Sequence, residues 1–287
     1  MKKWIYLLFV GVLTITLSGC FKRDSMEGIT VYTTAYPLEY ITYRLYGKNS
    51  TIKSIYPNDA KLADYQLTEK QIKDYSDSDI YIFNGLSSEK NYVAPMFGYN
   101  KNLKIIDSSQ SMEYTYNESE LWLDPSNYLM MSLNIKNGLL EYIENHYLKT
   151  EIETNYNQLK VDISALDAKF NLVSESSDKK TIVVDNNGLN FLSKYGFTII
   201  SLDPSTVTEK TISVVKKMIL NKQMKYIYTL DEANLSDAIK QLQTATGVTI
   251  TQLHSLDTLT EKERSEKEDY FSLMSENIEL LKNELYN

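Results

Sequence analysis

Cysteine and histidine, the side chains that most often serve as nucleophiles, general bases and transition-metal ligands, are nearly absent from this sequence. It holds one cysteine, Cys20, and two histidines, His146 and His254. A single cysteine excludes an internal disulfide, a thiolate metal cluster and a cysteine–histidine catalytic pair within the mature chain. No Gly-x-Ser-x-Gly, phosphate-binding loop or His-Glu-x-x-His pattern occurs, so nucleophilic hydrolysis, nucleotide chemistry and zinc proteolysis lack their usual residues. What remains in quantity is carboxylate: 38 Asp and Glu against 30 Lys and Arg. Carboxylate oxygen suits Mn²⁺, Mg²⁺ and Ca²⁺, whereas imidazole nitrogen suits Zn²⁺. Two acids can also cleave a glycosidic bond, but no ordering of motifs here supports that chemistry, and the chain is read as a binding protein rather than an enzyme.

The N-terminus says where such a protein works. Met1-Lys2-Lys3 is a short basic start, Trp4 to Leu17 is almost wholly apolar, and Leu17-Ser18-Gly19-Cys20 ends the run on small residues. The stretch suits a secretory signal and is short for a transmembrane helix. Its ending resembles the lipobox of bacterial lipoproteins, which implies removal of residues 1–19, lipidation of Cys20 and attachment to the extracytoplasmic face of the cell membrane; an ordinary signal peptide that happens to end near a cysteine is the plainer alternative. A multiply acylated end anchors far better than one acyl chain.

Loss of residues 1–19 removes Lys2 and Lys3 and no acid, taking the formal charge from −8 to −10. A chain so acidic is unsuited to nucleic acid or to flat contact with anionic lipid. Residues 20–287 exceed the usual size of one core, which favours two lobes. Residues 20–27 read as a tether. From there strand and helix signals alternate: strands at Ile29–Thr33, Thr51–Ile55, Ile80–Phe83 and Leu103–Ile106, helices over Pro37–Tyr46 and, behind a Thr68/Gln71 capping box, over Glu69–Tyr75. Asp124-Pro125 marks another helix start. Ile152, Tyr156, Leu159, Ile163, Leu166, Phe170 and Val173 then step by four and three, an apolar seam about 35 Å long at 1.5 Å per residue. The alternation resumes with strands at Thr181–Asp185, Thr198–Ser201, Tyr226–Thr229 and Val248–Gln252. Helices are expected near Gly188–Tyr195, Thr208–Asn221 and Leu235–Ala245, with a closing helix along Phe271, Met274, Ile278, Leu281 and Leu285. The expected fold is therefore α/β: two Rossmann-like lobes, 28–150 and 177–287, joined by one long helix over 151–176, with a ligand cleft between the lobes.

Several segments in this order resemble one family. Thr33-Thr34-Ala35-Tyr36-Pro37-Leu38, Trp122-Leu123-Asp124-Pro125, the linker seam, Phe191-Leu192-Ser193-Lys194-Tyr195-Gly196, Leu256-Asp257-Thr258-Leu259 and Tyr270 through Asn277 together are similar to the substrate-binding lipoproteins of bacterial zinc and manganese ABC importers, over nearly the whole mature chain. The resemblance implies a monomeric receptor that captures a divalent cation, manganese or zinc, and hands it to a membrane permease and its ATPase.

Carried over residue by residue, the family's metal histidines are gone. The first falls on Ala63, followed by Asp64; the second becomes Glu120; the third, His or Glu in the family, becomes Asp185; the fourth, an acid in many members, stays Asp257. Glu120, Asp185 and Asp257 are thus the implied ligands, an all-oxygen site of three carboxylates, with Asp64 and His254 as possible additions. Each also has an ordinary structural explanation. Asp185 and Asp257 stand where acids cap helices or turns, Glu120 could be a solvated loop acid, and His254 a locally hydrogen-bonded side chain. His146 reads as a partner of a helix C-terminus, and Asp124 as an N-cap. The competing function is a metal receptor that no longer binds metal and acts through its surface as an adhesin, a scaffold or a permease regulator.

Overall fold

The structure, a computed structural model, describes residues 26–286 apart from 63 and 116. The signal segment, Cys20 and Ala63 lie outside the described residues, as does all of the tether but Met26 and Glu27. Among the described residues no helix is long and apolar enough to cross a membrane.

The first lobe is built on β1 (Ile29–Thr33), β2 (Ser50–Ser54), β3 (Ile80–Phe83) and β4 (Lys104–Asp107). The second is built on β5 (Thr181–Val184), β6 (Thr198–Ser201), β7 (Tyr226–Thr229) and β8 (Thr249–Gln252). Every pairing is parallel, and the two sheets share one topology, β2-β1-β3-β4 and β6-β5-β7-β8. In both, the chain order reverses between the two central strands. That reversal leaves a crevice beyond their carboxyl ends, the usual place for a ligand in an open parallel sheet. The Ile-Tyr-Ile-Phe sequence of β3 is buried at all four positions, as a strand covered on both faces must be.

Local chemistry sets the helices. In the first lobe α1 (Tyr36–Tyr46) carries Pro37 in its first turn, and α2 (Glu69–Ser76) starts at the capping box expected at Thr68 and Gln71. A 3₁₀ turn (Ser88–Tyr92) leads into α3 (Val93–Tyr99), and both go unannounced in the sequence because apolar spacing over so few residues carries little signal. The short α4 (Glu120–Leu123) precedes α5 (Pro125–Tyr142), which Asp124 caps by accepting from the Ser126 amide at 2.9 Å.

The connecting helix α6 (His146–Ser176) has 31 residues and is roughly 46 Å long. It starts earlier than the seam suggests because the Asn145 side chain accepts from the Tyr147 and Leu148 amides. His146 therefore stands in the first turn of α6, not at a helix C-terminus as the sequence reading had it. Six of the seven seam residues are buried, and Tyr156 packs against the same core with Lys136 over its ring.

The second lobe departs from expectation at one element. Asn187–Tyr195 is 3₁₀ rather than α. Asn186 and Gly188 at its start favour turns over α-helix, and Gly196 ends it at φ +89°, a conformation that strongly favours glycine. Helices α7 (Glu209–Leu220) and α8 (Asp237–Thr246) follow, separated by β7 and a one-turn 3₁₀ segment (Glu232–Asn234). After β8 come α9 (Glu261–Glu266) and α10 (Tyr270–Leu285).

One apolar core runs through both lobes. It takes in β1 and β3, the buried face of α6, β5 and the inner face of α10. Tyr270 is its central bolt: fully buried, it stacks on Tyr128 with ring centroids 3.8 Å apart and donates its hydroxyl to the Trp122 carbonyl at 2.6 Å. Tyr270→Phe keeps the stack but orphans a buried carbonyl, so urea unfolding should show a loss of about 1–3 kcal/mol. Tyr270→Ala should cost about 3–5 kcal/mol. Equal losses from the two variants would contradict this assignment.

Candidate metal centre

The crevices of the two sheets face each other across a cavity of about 830 Å³. Its walls come from the loops after β2, β3 and β4 on one side and the loops after β5, β7 and β8 on the other. The facing loops come close at Gly188, where a Cβ would lie 2.2 Å from the Ser119 Oγ, so a side chain at this position would collide with the opposing loop.

Asp257 is the expected ligand that reaches this cavity. Four interactions aim it. The Tyr36 amide donates to the Asp257 carbonyl at 2.9 Å, and Leu256 adopts φ 64° to turn the chain. Asn277 clamps His254, accepting from its amide at 2.7 Å and donating to its carbonyl at 2.9 Å. Trp122 Nε1 donates to the Ser255 carbonyl at 2.8 Å. Burial, together with the charges of Glu118 and Asp231, pushes the Asp257 carboxyl up to about 7, with a Ser255 hydrogen bond opposing the shift.

His254 lines the cavity, but its ring is engaged. Nδ1 accepts from the Leu256 amide at 2.8 Å, and Nε2 is 3.0 Å from the Glu263 carboxylate. It stabilises the loop that carries Asp257. Asp64 also lines the cavity, on an exposed stretch of the loop after β2.

Glu120 and Asp185 are not on the cavity wall. Glu120 is buried, and its carboxylate accepts from the Thr115 and Asn117 amides at 3.3 and 3.0 Å, closing its own loop. Asp185 follows β5 and takes the Thr229 hydroxyl, while its other oxygen, Oδ1, is buried without a partner; burial pushes it up to about 6. Among the described residues, no three His, Asp or Glu side chains stand close enough together to hold a metal ion. The compact triad of Glu120, Asp185 and Asp257 is therefore not formed, because the first is committed to its loop and the second to β7.

Two other acids occupy the cavity. Glu118 accepts from Asn84 Nδ2 at 2.7 Å, and burial raises its carboxyl. Asp231, just beyond β7, pairs with Lys61 of the opposite lobe at 2.9 Å, and this pairing, helped by an Asn234 hydrogen bond, outweighs burial and holds its carboxyl below the usual carboxylate range. Asp231 could have been found from topology, since it follows a central strand at the chain reversal. Glu118 carries no such signal: only the turn at 117–119 decides that it, and not Glu120, faces the cavity.

The comparisons with known proteins agree with this architecture. The family model described as "ZnuA: Zinc-uptake complex component A periplasmic" matches residues 31–284. The chain belongs to this family. It is 24% identical to zinc-binding protein AdcA of Streptococcus pyogenes serotype M6, over 98% of this chain but 61% of that protein, so it spans about three-fifths of the AdcA relatives it matches. It is 20% identical to the high-affinity zinc uptake system protein ZnuA of Bacillus subtilis, over 99% of this chain and 98% of that one. Among solved structures, the Zn(II)-bound ZnuA-like domain of Streptococcus pneumoniae AdcA superposes with a TM-score of 0.74 at 19% identity, covering 91% of this chain and all of that one. The expected two-lobed fold with a long connecting helix is thereby established for a member of this family.

The raised acids make a pH prediction. Glu89 (about 8), Asp257 (about 7) and Asp185 (about 6) have folded values above those of unfolded carboxylates. The folded state thus holds protons that the unfolded state has released, and this contribution to stability, fully present below the unfolded values of about 4, is lost progressively from there until pH has passed the folded values. In chelator-treated protein the melting temperature should rise by several degrees from pH 8.5 to pH 5.5, at roughly 2–4 °C per kcal/mol. A flat or opposite profile in scanning calorimetry would contradict these assignments.

Proposed function

We propose that this chain is the extracytoplasmic receptor of an ABC importer, held to the membrane by lipidated Cys20, that captures a divalent cation of the zinc or manganese class and delivers it to its permease and ATPase. The observation that carries this reading is Asp257: a family ligand position kept as an acid, aimed into the inter-lobe cavity, with a second carboxylate, Glu118, as its strongest charged neighbour. Family membership supports the same conclusion.

Asp257 and Glu118 are the proposed first contacts. Asp185 stays outside this pair, off the cavity wall and bonded to Thr229 of β7. Water supplies the remaining positions, as suits a hard cation on oxygen ligands. Without cargo, mutual repulsion and burial favour protons on these acids; an arriving dication replaces the protons and makes the carboxylates compatible with one another. The acidic walls draw cations in. The role is capture and release, with no bond made or broken.

The absence of a three-ligand group among the described residues favours one alternative, a receptor that has lost its metal and works through its surface. Thermal unfolding of chelator-treated protein separates the two. At a hundred times its Kd, Zn²⁺ or Mn²⁺ should add about 2.7 kcal/mol, a rise of roughly 5–10 °C. Asp257→Asn/Glu118→Gln should abolish the rise. Glu120→Gln should lower the melting temperature without metal and leave the metal-induced rise intact. If Zn²⁺, Mn²⁺, Mg²⁺ and Ca²⁺ all leave the wild-type protein unshifted, cation capture is wrong and the surface role stands.

A further inference from the structure

Lys61 is the one lysine or arginine among the described residues that line the inter-lobe cavity, against six Asp and Glu. It extends from the loop after β2 and meets Asp231, from the loop after β7, at 2.9 Å. The pair thus spans the cavity from one lobe to the other. Asp231 does not need the lysine to satisfy its oxygens: Oδ1 accepts from the Ala233 amide at 3.1 Å and Oδ2 from Asn234 Nδ2 at 2.6 Å. Nor does the pair stabilise the fold much, since its side chains are 50% and 43% exposed and ion pairs in water are weak. What Lys61 adds to the cavity is a positive charge.

The backbone presents that charge from the same rim as Asp257. The loop bearing Lys61 is tied to the loop bearing Asp257 by two hydrogen bonds. The Asp59 amide donates to the Leu259 carbonyl at 3.0 Å, and Thr258 Oγ1 donates to the Ala60 carbonyl at 3.0 Å. The residue before Lys61 is therefore bonded to the residue after Asp257. Asp231, Asp257 and Glu118 all line this cavity, yet among the described residues no three acids or histidines stand close enough together to hold a metal ion. One of these three acids is engaged instead by an ammonium from the opposite lobe.

We propose that Lys61 is a resident stand-in for the cargo: its ammonium holds Asp231 until a divalent cation displaces it and takes Asp231 as a third carboxylate with Asp257 and Glu118. This rests on the reading that a divalent cation is captured at Asp257 and Glu118, and it puts a protein oxygen where one water would otherwise bind. An ammonium is a compact single charge on a flexible stem, and the Lys61 side chain is already half exposed, so it can swing out into water. A dication brings twice the charge and engages several carboxylates at once, so it competes well for Asp231. A monovalent ion offers Asp231 no more charge than Lys61 does. The exchange therefore selects for dications, and until one arrives the lysine relieves repulsion among the cavity acids.

The test is calorimetric titration of the chelator-treated full chain with Mn²⁺ and with Zn²⁺, at fixed pH and ionic strength, in wild type, Lys61→Met, Asp231→Asn and the double variant. Lys61→Met removes the competitor and should tighten Kd about two- to fivefold, the worth of an exposed ion pair. Asp231→Asn keeps an oxygen for the Ala233 amide but loses the charge, and should weaken binding roughly tenfold. In that background Lys61→Met should change nothing, whereas a general effect of the lysine's charge would persist. A second readout follows the amine itself: acylation of Lys61 by an N-hydroxysuccinimide ester, read by peptide mass spectrometry, should speed up when Mn²⁺ is added to wild type and not when Na⁺ is. The proposal is overturned, with cation capture intact, if wild type binds and Lys61→Met binds no tighter, if the tightening survives in Asp231→Asn, or if acylation of Lys61 ignores Mn²⁺. If neither wild type nor Lys61→Met binds a dication, both readings fail. Binding by Lys61→Met alone would support the stand-in and contradict capture by the wild type.

Discussion

The apolar face of α6 is shared by both lobes, and the rest of the molecule depends on that sharing. Two α/β units joined by a flexible linker would each close their own core, and the gap between them would vary. Here Ile152, Leu159, Ile163, Leu166, Phe170 and Val173 lie in one core with β1, β3, β5 and α10. Moving one lobe against the other would expose this surface, at about 25 cal/mol per Å². The cavity is therefore set by packing before any ligand arrives. Polar links between the lobes, Arg264 with Glu39 at 2.7 and 2.9 Å and Tyr40 with Asp269 at 2.9 Å away from the cavity, and Lys61 with Asp231 at 2.9 Å on its wall, refine a separation that the core has already fixed.

A fixed gap makes loop geometry decisive. Cavity residues come from turns beyond the strand ends, and a turn of one or two residues determines which side chain faces in. That is why Glu118 points into the cavity while Glu120 satisfies amides of its own loop. It is also why Asp257 requires so much support: an Asn277 clamp, a left-handed Leu256, a ring nitrogen from His254 and the Trp122 indole. Without histidine at the cavity's centre, cation affinity must come from carboxylates that repel one another and resist burial. Their raised values are the physical consequence.

The fold was legible in the sequence because its signals are periodic or chemically specific. The seam of α6, the Thr68/Gln71 capping box, Asp124-Pro125 and the apolar runs of β3 and β5 each depend on residues close together in the chain. The 3₁₀ turn at Asn187–Tyr195 escaped because apolar spacing does not distinguish it from α-helix, although Asn186 and Gly188 at its start favour a turn. The site was legible at Asp257, whose loop sits between recognisable segments. It was not legible at Glu120 or Asp185, where alignment gives a position but not a side-chain direction.

The central claim is that carboxylates on facing loops, with Asp257 at their focus, hold the cargo ion in a cavity preset by the shared core. Anomalous diffraction from crystals equilibrated with Mn²⁺, and separately with Zn²⁺, tests it most directly. The account predicts one strong peak between the lobes, within coordination distance of Asp257 and Glu118, with oxygen ligands and no imidazole nitrogen. A peak at Glu120 or His254 away from Asp257, or no ordered ion between the lobes, would contradict it.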